Sequence, residues 1–318
     1  MPCSQTTRPA TPLVSVVIPT WNRAVYLPDA VASVCRQTFA DWELIVVDDG
    51  SSDGTPAYLA GLDDPRLRVL REPHRGNPNA VRNVALGAAR GRYVAFLDSD
   101  DWWEPEKLAR QLAALTAHPD CGWSYTGLRC VDTGGREVPL PEPRAFEPRG
   151  GWVLERLVSG DARLQTSTVM ADRALVERVG GFDERFIIAG DFDLWLRLAA
   201  ESPVAPVRGA LTTLRKHQGR YGARFTGSRE VLDQAFTRLG ARMTTPRLRF
   251  LFARLRARGL ANVADLERHD RRYARAFSFL TAGLPHGLGI RRWWVVLLKT
   301  LVFPLAFWRH GRRDGIAA

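Results

Sequence analysis

Two acidic clusters are the residues of this sequence best suited to chemistry. Asp98, Asp100 and Asp101 stand together around Ser99, and Asp48-Asp49 form a second pair. Carboxylates two apart on a strand face opposite ways, but a turn at the strand end lets both reach one cation. Hard divalent ions such as Mg²⁺ and Mn²⁺ take oxygen ligands and bridge to phosphates. An isolated D-x-D is more often a solvated turn or helix cap, so its place in the chain has to decide. The Asp48-Asp49 carboxylates suit the N–H and O–H groups of a nucleobase or ribose. Their plainer reading is a turn, with Asp53 capping the next helix. Arginine suits bidentate phosphate binding, which makes Arg23 and Arg82, with Asn22, candidates for a nucleotide or pyrophosphate contact. Each of the three, alone, reads equally well as a surface residue.

The elements around these residues favour the chemical reading. Residues 13–18 form an unbroken apolar run, as a buried parallel strand should, and Pro19 ends it. Leu27, Val31, Val34 and Cys35 recur at helical spacing. Residues 43–47 are a second apolar run ending in Asp48-Asp49-Gly50, and residues 53–56 read as a cap and first helical turn. Residues 67–70 make a third strand, 79–90 a helix with Gly91 as its stop, and 92–97 a fourth strand running into Asp98. Strand and helix alternate, which predicts a doubly wound α/β sheet. Ligands bind such sheets beyond the carboxyl ends of the strands. Three polar clusters, at residues 20–23, 48–49 and 98–101, are therefore expected to share one crevice.

Farther along, residues 104–118 and 191–200 read as helices, and the proline-rich stretch 139–148 as a mobile loop. Residues 229–283 read as helical and arginine-rich. The net charge of +11 is unevenly spread: residues 205–318 hold 23 Lys/Arg against 6 Asp/Glu, a net of +17. An anionic partner is expected there. The window 293–308, WWVVLLKTLVFPLAFW, is too short to span a bilayer and has tryptophans near its ends and arginines on both flanks. It predicts a segment lying in an anionic membrane surface, with packing on the protein core as the alternative. Few aromatics interleave the arginines before residue 293, so no specific nucleic-acid binding is expected. Four scattered cysteines argue against a zinc site and suit reduced thiols. The opening MPCSQTTRPATP has no apolar run, so no signal peptide is expected. The expected location is the cytoplasm, peripheral on the membrane.

Three segments in order, LVSVVIPTWNR, LIVVDDGSSDGT and NPNAVRNVALGAARGRYVAFLDSDD, resemble glycosyltransferase family 2, as do GGFDERF and GDFDLWLRLA further on. The similarity covers roughly residues 13–220. It implies a GT-A fold, a Rossmann-like doubly wound sheet, here with a helical, basic C-terminal extension. The implied layout is a lead-in at 1–11 and a catalytic domain at 12–222. That domain divides into a nucleotide-binding half, 12–101, and an acceptor half, 102–222. A helical extension at 223–285 and a membrane-associating tail at 286–318 follow. The implied activity is inverting transfer from a nucleotide diphosphate sugar, UDP first and dTDP or GDP as alternatives, to a glycan or lipid-linked acceptor in cell-surface polysaccharide synthesis.

The resemblance places Pro19, Asn22, Arg23, Asp49 and Arg82 at the nucleotide, and Asp98 and Asp100 at the ribose and a Mn²⁺ or Mg²⁺ ion. Asp191 becomes the catalytic base, and His217 a loop residue closing over the metal or donor phosphates. In similar sequences an acidic residue precedes the base, and here that position is Gly190. Trp102 and Trp103 are candidates for stacking on a sugar ring, whereas Trp195, at helical spacing with Phe192 and Leu198, is expected in the core. A nucleotidyltransferase or dehydrogenase needs a glycine-rich loop after strand one, and Pro19-Thr20-Trp21-Asn22-Arg23 has none. A non-catalytic scaffold with a decayed site is the competing class, with Gly190 its only support.

Overall fold

The computed structural model describes residues 11–140, 142–217, 229–269, 272–284 and 286–300. Two compact units emerge, the first made of residues 1–157 and 161–218 and the second of 158–160 and 219–318. The first unit is built on one eight-stranded sheet in the order β3-β2-β1-β4-β7-β6-β8-β5. Its strands are β1 (Val14–Thr20), β2 (Trp42–Asp49), β3 (Leu67–Glu72), β4 (Tyr93–Phe96), β5 (Trp102–Trp103), β6 (Trp123–Val131), β7 (Val169–Asp172) and β8 (Val204–Arg215). Its helices are α1 (Leu27–Cys35), α2 (Thr55–Ala60), α3 (Pro78–Ala88), α4 (Lys107–Ala117), α5 (Leu154–Ser159, whose end joins the second unit), α6 (Arg173–Arg178) and α7 (Gly190–Glu201).

Strands β1 and β2 are almost wholly buried, as parallel strands covered on both faces must be. They run in register from Val14 beside Trp42 to Thr20 beside Asp48, so their carboxyl ends lie level. β4 lies parallel on the other flank of β1, with Val14 opposite Tyr93. The chain thus leaves β1 in one direction for β2 and β3 and returns across it for β4. That reversal opens a crevice between β1 and β4 at their carboxyl ends.

Beyond β4 the sheet turns mixed: β7 is antiparallel to β4 and β6, β8 is parallel to β6, and β5 is antiparallel to β8. The sequence reading did not anticipate β6 and β8. Register shifts at Thr126–Leu128, where Gly209 adopts φ +102°, interrupt the alternation that would have marked them.

Gly91 does a different job from the one expected. Helix α3 ends at Ala88 and leaves through an extended Ala89. A Cβ at Gly91 would stand 2.5 Å from the backbone nitrogen of Ser15, so glycine is needed for the close approach to β1, not as a helix stop. The proline-rich stretch is also anchored. Phe146 packs on the Leu128–Cys130–Leu214 cluster, and the Arg149 amide donates to the Tyr125 hydroxyl at 2.6 Å.

The second unit holds α8 (Arg229–Gly240), α9 (Pro246–His269), α10 (Tyr273–Ala282) and a further helical stretch over residues 291–300. In that stretch Trp293, Val296 and Thr300 are buried. The Trp293 indole donates to the Leu280 carbonyl at 3.2 Å. Residues 286–300 therefore pack with α10 in one unit. Among the described residues no helix is long and apolar enough to cross a membrane. Residues 301–308 of the apolar window, like residues 1–10 of the expected lead-in, lie outside the described residues.

Candidate active site

The turn after β4 gathers Asp98, Asp100 and Asp101, with one carboxylate oxygen of each within 4.8 Å of the others. Such a donor set fits a hard divalent cation. Asp101, to which the resemblance gave no ligand role, is the most buried of the three. The Ser167 hydroxyl donates to its Oδ2 at 2.6 Å and the Arg215 amide to its Oδ1 at 3.2 Å. A hydroxyl and a backbone amide thus engage both of its oxygens. Asp98 and Asp100 are met by basic side chains: Arg82 donates to Asp98 Oδ1 at 2.6 Å, and His217 Nε2 lies 2.7 Å from Asp100 Oδ2. Arg82 is nearly buried, and its Nε has no hydrogen-bond partner among the described residues.

A short 3₁₀ turn, Thr166–Thr168, links this cluster to Asp191. Ser167 holds Asp101 and also accepts the Asp98 amide at 3.0 Å, while the neighbouring Thr166 hydroxyl donates to Asp191 Oδ2 at 3.1 Å. Asp191 Oδ1 accepts its neighbour's amide, from Phe192, at 2.8 Å. Asp191 lies in the first turn of α7, where the helix dipole favours a carboxylate. The second acid of that turn, Asp193, is fully buried against Arg197 at 2.7 Å. Arg197 in turn donates to the Gly181 carbonyl at 2.8 Å, so this pair braces the helix. Nothing in the spacing of Thr166 and Ser167 announces them, because their partners lie 25 and 66 residues away.

The ends of β1 and β2 form the other side of the crevice. Asp49 is buried and accepts the amides of Arg75 at 2.7 Å and Gly76 at 3.1 Å, and His74 Nδ1 lies 2.9 Å from its Oδ2. Asp48 accepts the Ser51 amide at 3.1 Å. Asn22, at φ +50°, accepts the Ser52 amide at 2.8 Å, and its own amide donates to Ser51 Oγ at 2.8 Å. The Arg23 amide donates to Thr55 at 2.9 Å. Pro19 lies opposite Val47 at the end of β1. Asn22 and Arg23 thus tie the loop after β1 to the loop after β2. Trp21, beside them, stacks on His74 with ring centroids 4.6 Å apart.

His217 sits against Tyr26 with centroids 4.7 Å apart, which positions it over Asp100. The Arg215 guanidinium lies over both Tyr26 and Trp102, 4.9 and 4.8 Å from the ring centres, and reaches Asp29 at 2.6 Å. Trp103 is no sugar platform: it is buried, its indole donates to the Ser167 carbonyl at 2.7 Å, and Lys107 Nζ lies 3.6 Å from its ring. Trp195 is in the core, as expected, against Phe96 and Phe182.

The strand-end carboxylates thus line a crevice at a reversal in an α/β sheet, and a solved structure shares this fold. The structure of S. aureus TarS 1–349 in complex with UDP-GlcNAc superposes with a TM-score of 0.68 at 20% identity, covering 90% of this chain and 88% of that one. The fold is GT-A.

The Glycosyl transferase family 2 model matches residues 15–150, and over that stretch the chain is similar to the family. A Bacillus subtilis (strain 168) glycosyltransferase assigned to teichuronic acid biosynthesis, TuaG, is 44% identical over 51% of this chain and 63% of its own length. This chain thus spans less than two thirds of that relative. The Escherichia coli UDP-Glc:alpha-D-GlcNAc-diphosphoundecaprenol beta-1,3-glucosyltransferase WfgD is 28% identical over 61% of this chain and 73% of its own.

Proposed function

We propose that this chain is an inverting, metal-dependent glycosyltransferase. It moves a sugar from a UDP-sugar to a hydroxyl of a glycan or lipid-linked acceptor in cell-surface polysaccharide synthesis. The observation that carries this reading is the Thr166–Thr168 turn. It binds the acidic cluster through one residue and Asp191 through its neighbour, setting a separate carboxylate beside a cation site.

Asp98 and Asp100 would hold a Mn²⁺ or Mg²⁺ ion, which supplies charge neutralisation for a departing diphosphate when bound. The Arg82 Nε, buried without a partner among the described residues, offers an N–H to a phosphate oxygen. His217 covers the same end. Asp49, with the loop it holds, and Trp21 line the nucleotide end. Asp191 takes the proton of the acceptor hydroxyl as that oxygen attacks the anomeric carbon opposite the leaving diphosphate, which inverts the configuration. UDP is favoured because WfgD is named for a UDP-Glc donor and TarS was crystallised with UDP and UDP-GlcNAc.

Calorimetric titration of UDP with and without Mn²⁺ tests the reading. Binding that requires the metal supports it. No binding of UDP, dTDP or GDP in either condition would leave the scaffold reading in its place.

The location belongs to the same proposal: a peripheral site on the cytoplasmic membrane face. The helical stretch 291–300 turns Trp293 and Val296 inward and exposes Trp294, Val295 and Leu298 beside Arg291, Arg292 and Lys299. An apolar stripe with basic flanks suits an anionic bilayer surface. Flotation of Trp294→Glu/Leu298→Glu protein with anionic vesicles tests it, and an unchanged bound fraction would reject this face. Truncation is the poorer test, because it removes the buried Trp293.

A further inference from the structure

We infer that Asn79 is the positioning residue of Asp191, and that it works by occupying the space in which a side chain at residue 190 would stand. The inference rests on Asp191 being the base.

Three asparagines of α3 and its cap grip the segment that leads into α7. Asn77 Nδ2 donates to the Glu184 carbonyl at 2.6 Å, and Asn79 Nδ2 to the Phe186 carbonyl at 2.9 Å. Asn83 donates to the Phe182 carbonyl at 2.8 Å and accepts the Phe182 amide at 3.0 Å. Asn79 is the buried member of the three, and its amide is thereby fixed. A Cβ at Gly190 would stand 2.2 Å from Asn79 Nδ2, 2.7 Å from its Cγ and 2.8 Å from its Oδ1. No side chain fits there unless Asn79 releases Phe186. Just before it, Ala189 holds the left-handed conformation, φ +60°, that turns the chain into α7.

Gly190 is thus no sign of a decayed site. The acidic residue that the resemblance implies at this position is absent, and a neutral amide from another helix fills the space. That helix also carries Arg82, which pairs with Asp98, so one rigid element holds both the cation cluster and the base. A neutral amide adds no like charge beside Asp191.

Asn79→Ala, Gly190→Ala and the double variant, in the full chain, test this with two readouts. In thermal melts, Gly190→Ala is expected to lower Tm by about 5 °C with Asn79 present and by about 1 °C or less in the Asn79→Ala background. Equal losses in both backgrounds would overturn the inference. In UDP release from a UDP-sugar, Asn79→Ala is expected to lower kcat roughly 100-fold with donor KM within about twofold. Wild-type kcat in that variant would overturn it as well. Wild-type protein that binds no nucleotide by calorimetry would instead overturn the base assignment, and the melts would still decide the packing.

Discussion

The two acidic clusters look alike in the sequence and differ in what holds them. Asp49, at the end of β2, is bound by backbone amides of Arg75 and Gly76 as well as by the His74 ring. Asp98 and Asp100, at the end of β4, are bound by the side chains of Arg82 and His217. A backbone donor cannot leave without unfolding its loop, whereas a basic side chain can move to a ligand's phosphate and yield its carboxylate to a metal. The first arrangement is fixed by its loop, and under the proposed function the second is an exchangeable site. Asp191 stands between them, with one backbone and one hydroxyl donor.

The sharpest test of this contrast is Asp191→Asn. It is expected to retain UDP binding and to lose roughly 1,000-fold or more in kcat, since general-base catalysis contributes on that order. Near-normal turnover would remove Asp191 from its role. Next in size, Asp100→Ala should weaken metal-dependent UDP binding roughly 100-fold, with Tm little changed, because its partner His217 is a side chain able to relax. A calorimetric trace unaffected by the substitution would exclude Asp100 as a ligand.

Asp49→Ala should show the reverse pattern. It strands two amides, at a cost of about 2–4 kcal/mol, and is expected to lower Tm by roughly 5–10 °C. A melt like wild type would break the distinction between the clusters.

The smallest effect extends the comparison to the opposite sign. Lys107 is wholly buried and its Nζ has no hydrogen-bond partner, so burial pushes its pKa well below the ordinary 10.5. Attraction to the Trp103 ring, worth about 2 kcal/mol, does not offset that loss of solvation. Between that lowered pKa and pH 10.5 the folded state therefore carries fewer protons than the unfolded state, and stability rises with pH across that window. Lys107→Met is expected to raise Tm by a few degrees at about pH 7 and to flatten this rise. An unchanged pH dependence of Tm would show the amine to be charged.

Much of the first half of the fold was legible. Runs of buried apolar residues, each ending in polar clusters, are what a parallel sheet covered on both faces requires. Their order alone brings residues 20–23, 48–49 and 98–101 to one edge. The second half was not legible in the same way. Strands β6 and β8 carry a bulge that breaks their period, and β5 is two residues long. The proline-rich stretch read as mobile because proline and charge dominate it, yet Phe146 pins it to a small apolar cluster. Trp102 and Trp103 were equivalent as letters. Pairing with β8 turned one toward Arg215 and buried the other beneath Ser167.

The sequence by itself determined the alternating α/β order, the crevice edge, the acidic cluster after β4 and the resemblance to a family. These are local patterns, since burial period and strand-end chemistry are written within a few residues of one another. Only the tertiary structure decided which carboxylates are held by backbone amides and which by basic side chains. It decided that Ser167 and Thr166 join the cluster to Asp191, and that Asn79 fills the place beside Gly190. Each of these depends on side chains 16 to 117 residues apart meeting within hydrogen-bond distance. No spacing in the chain encodes such a meeting, because it is fixed by how helices pack on a sheet.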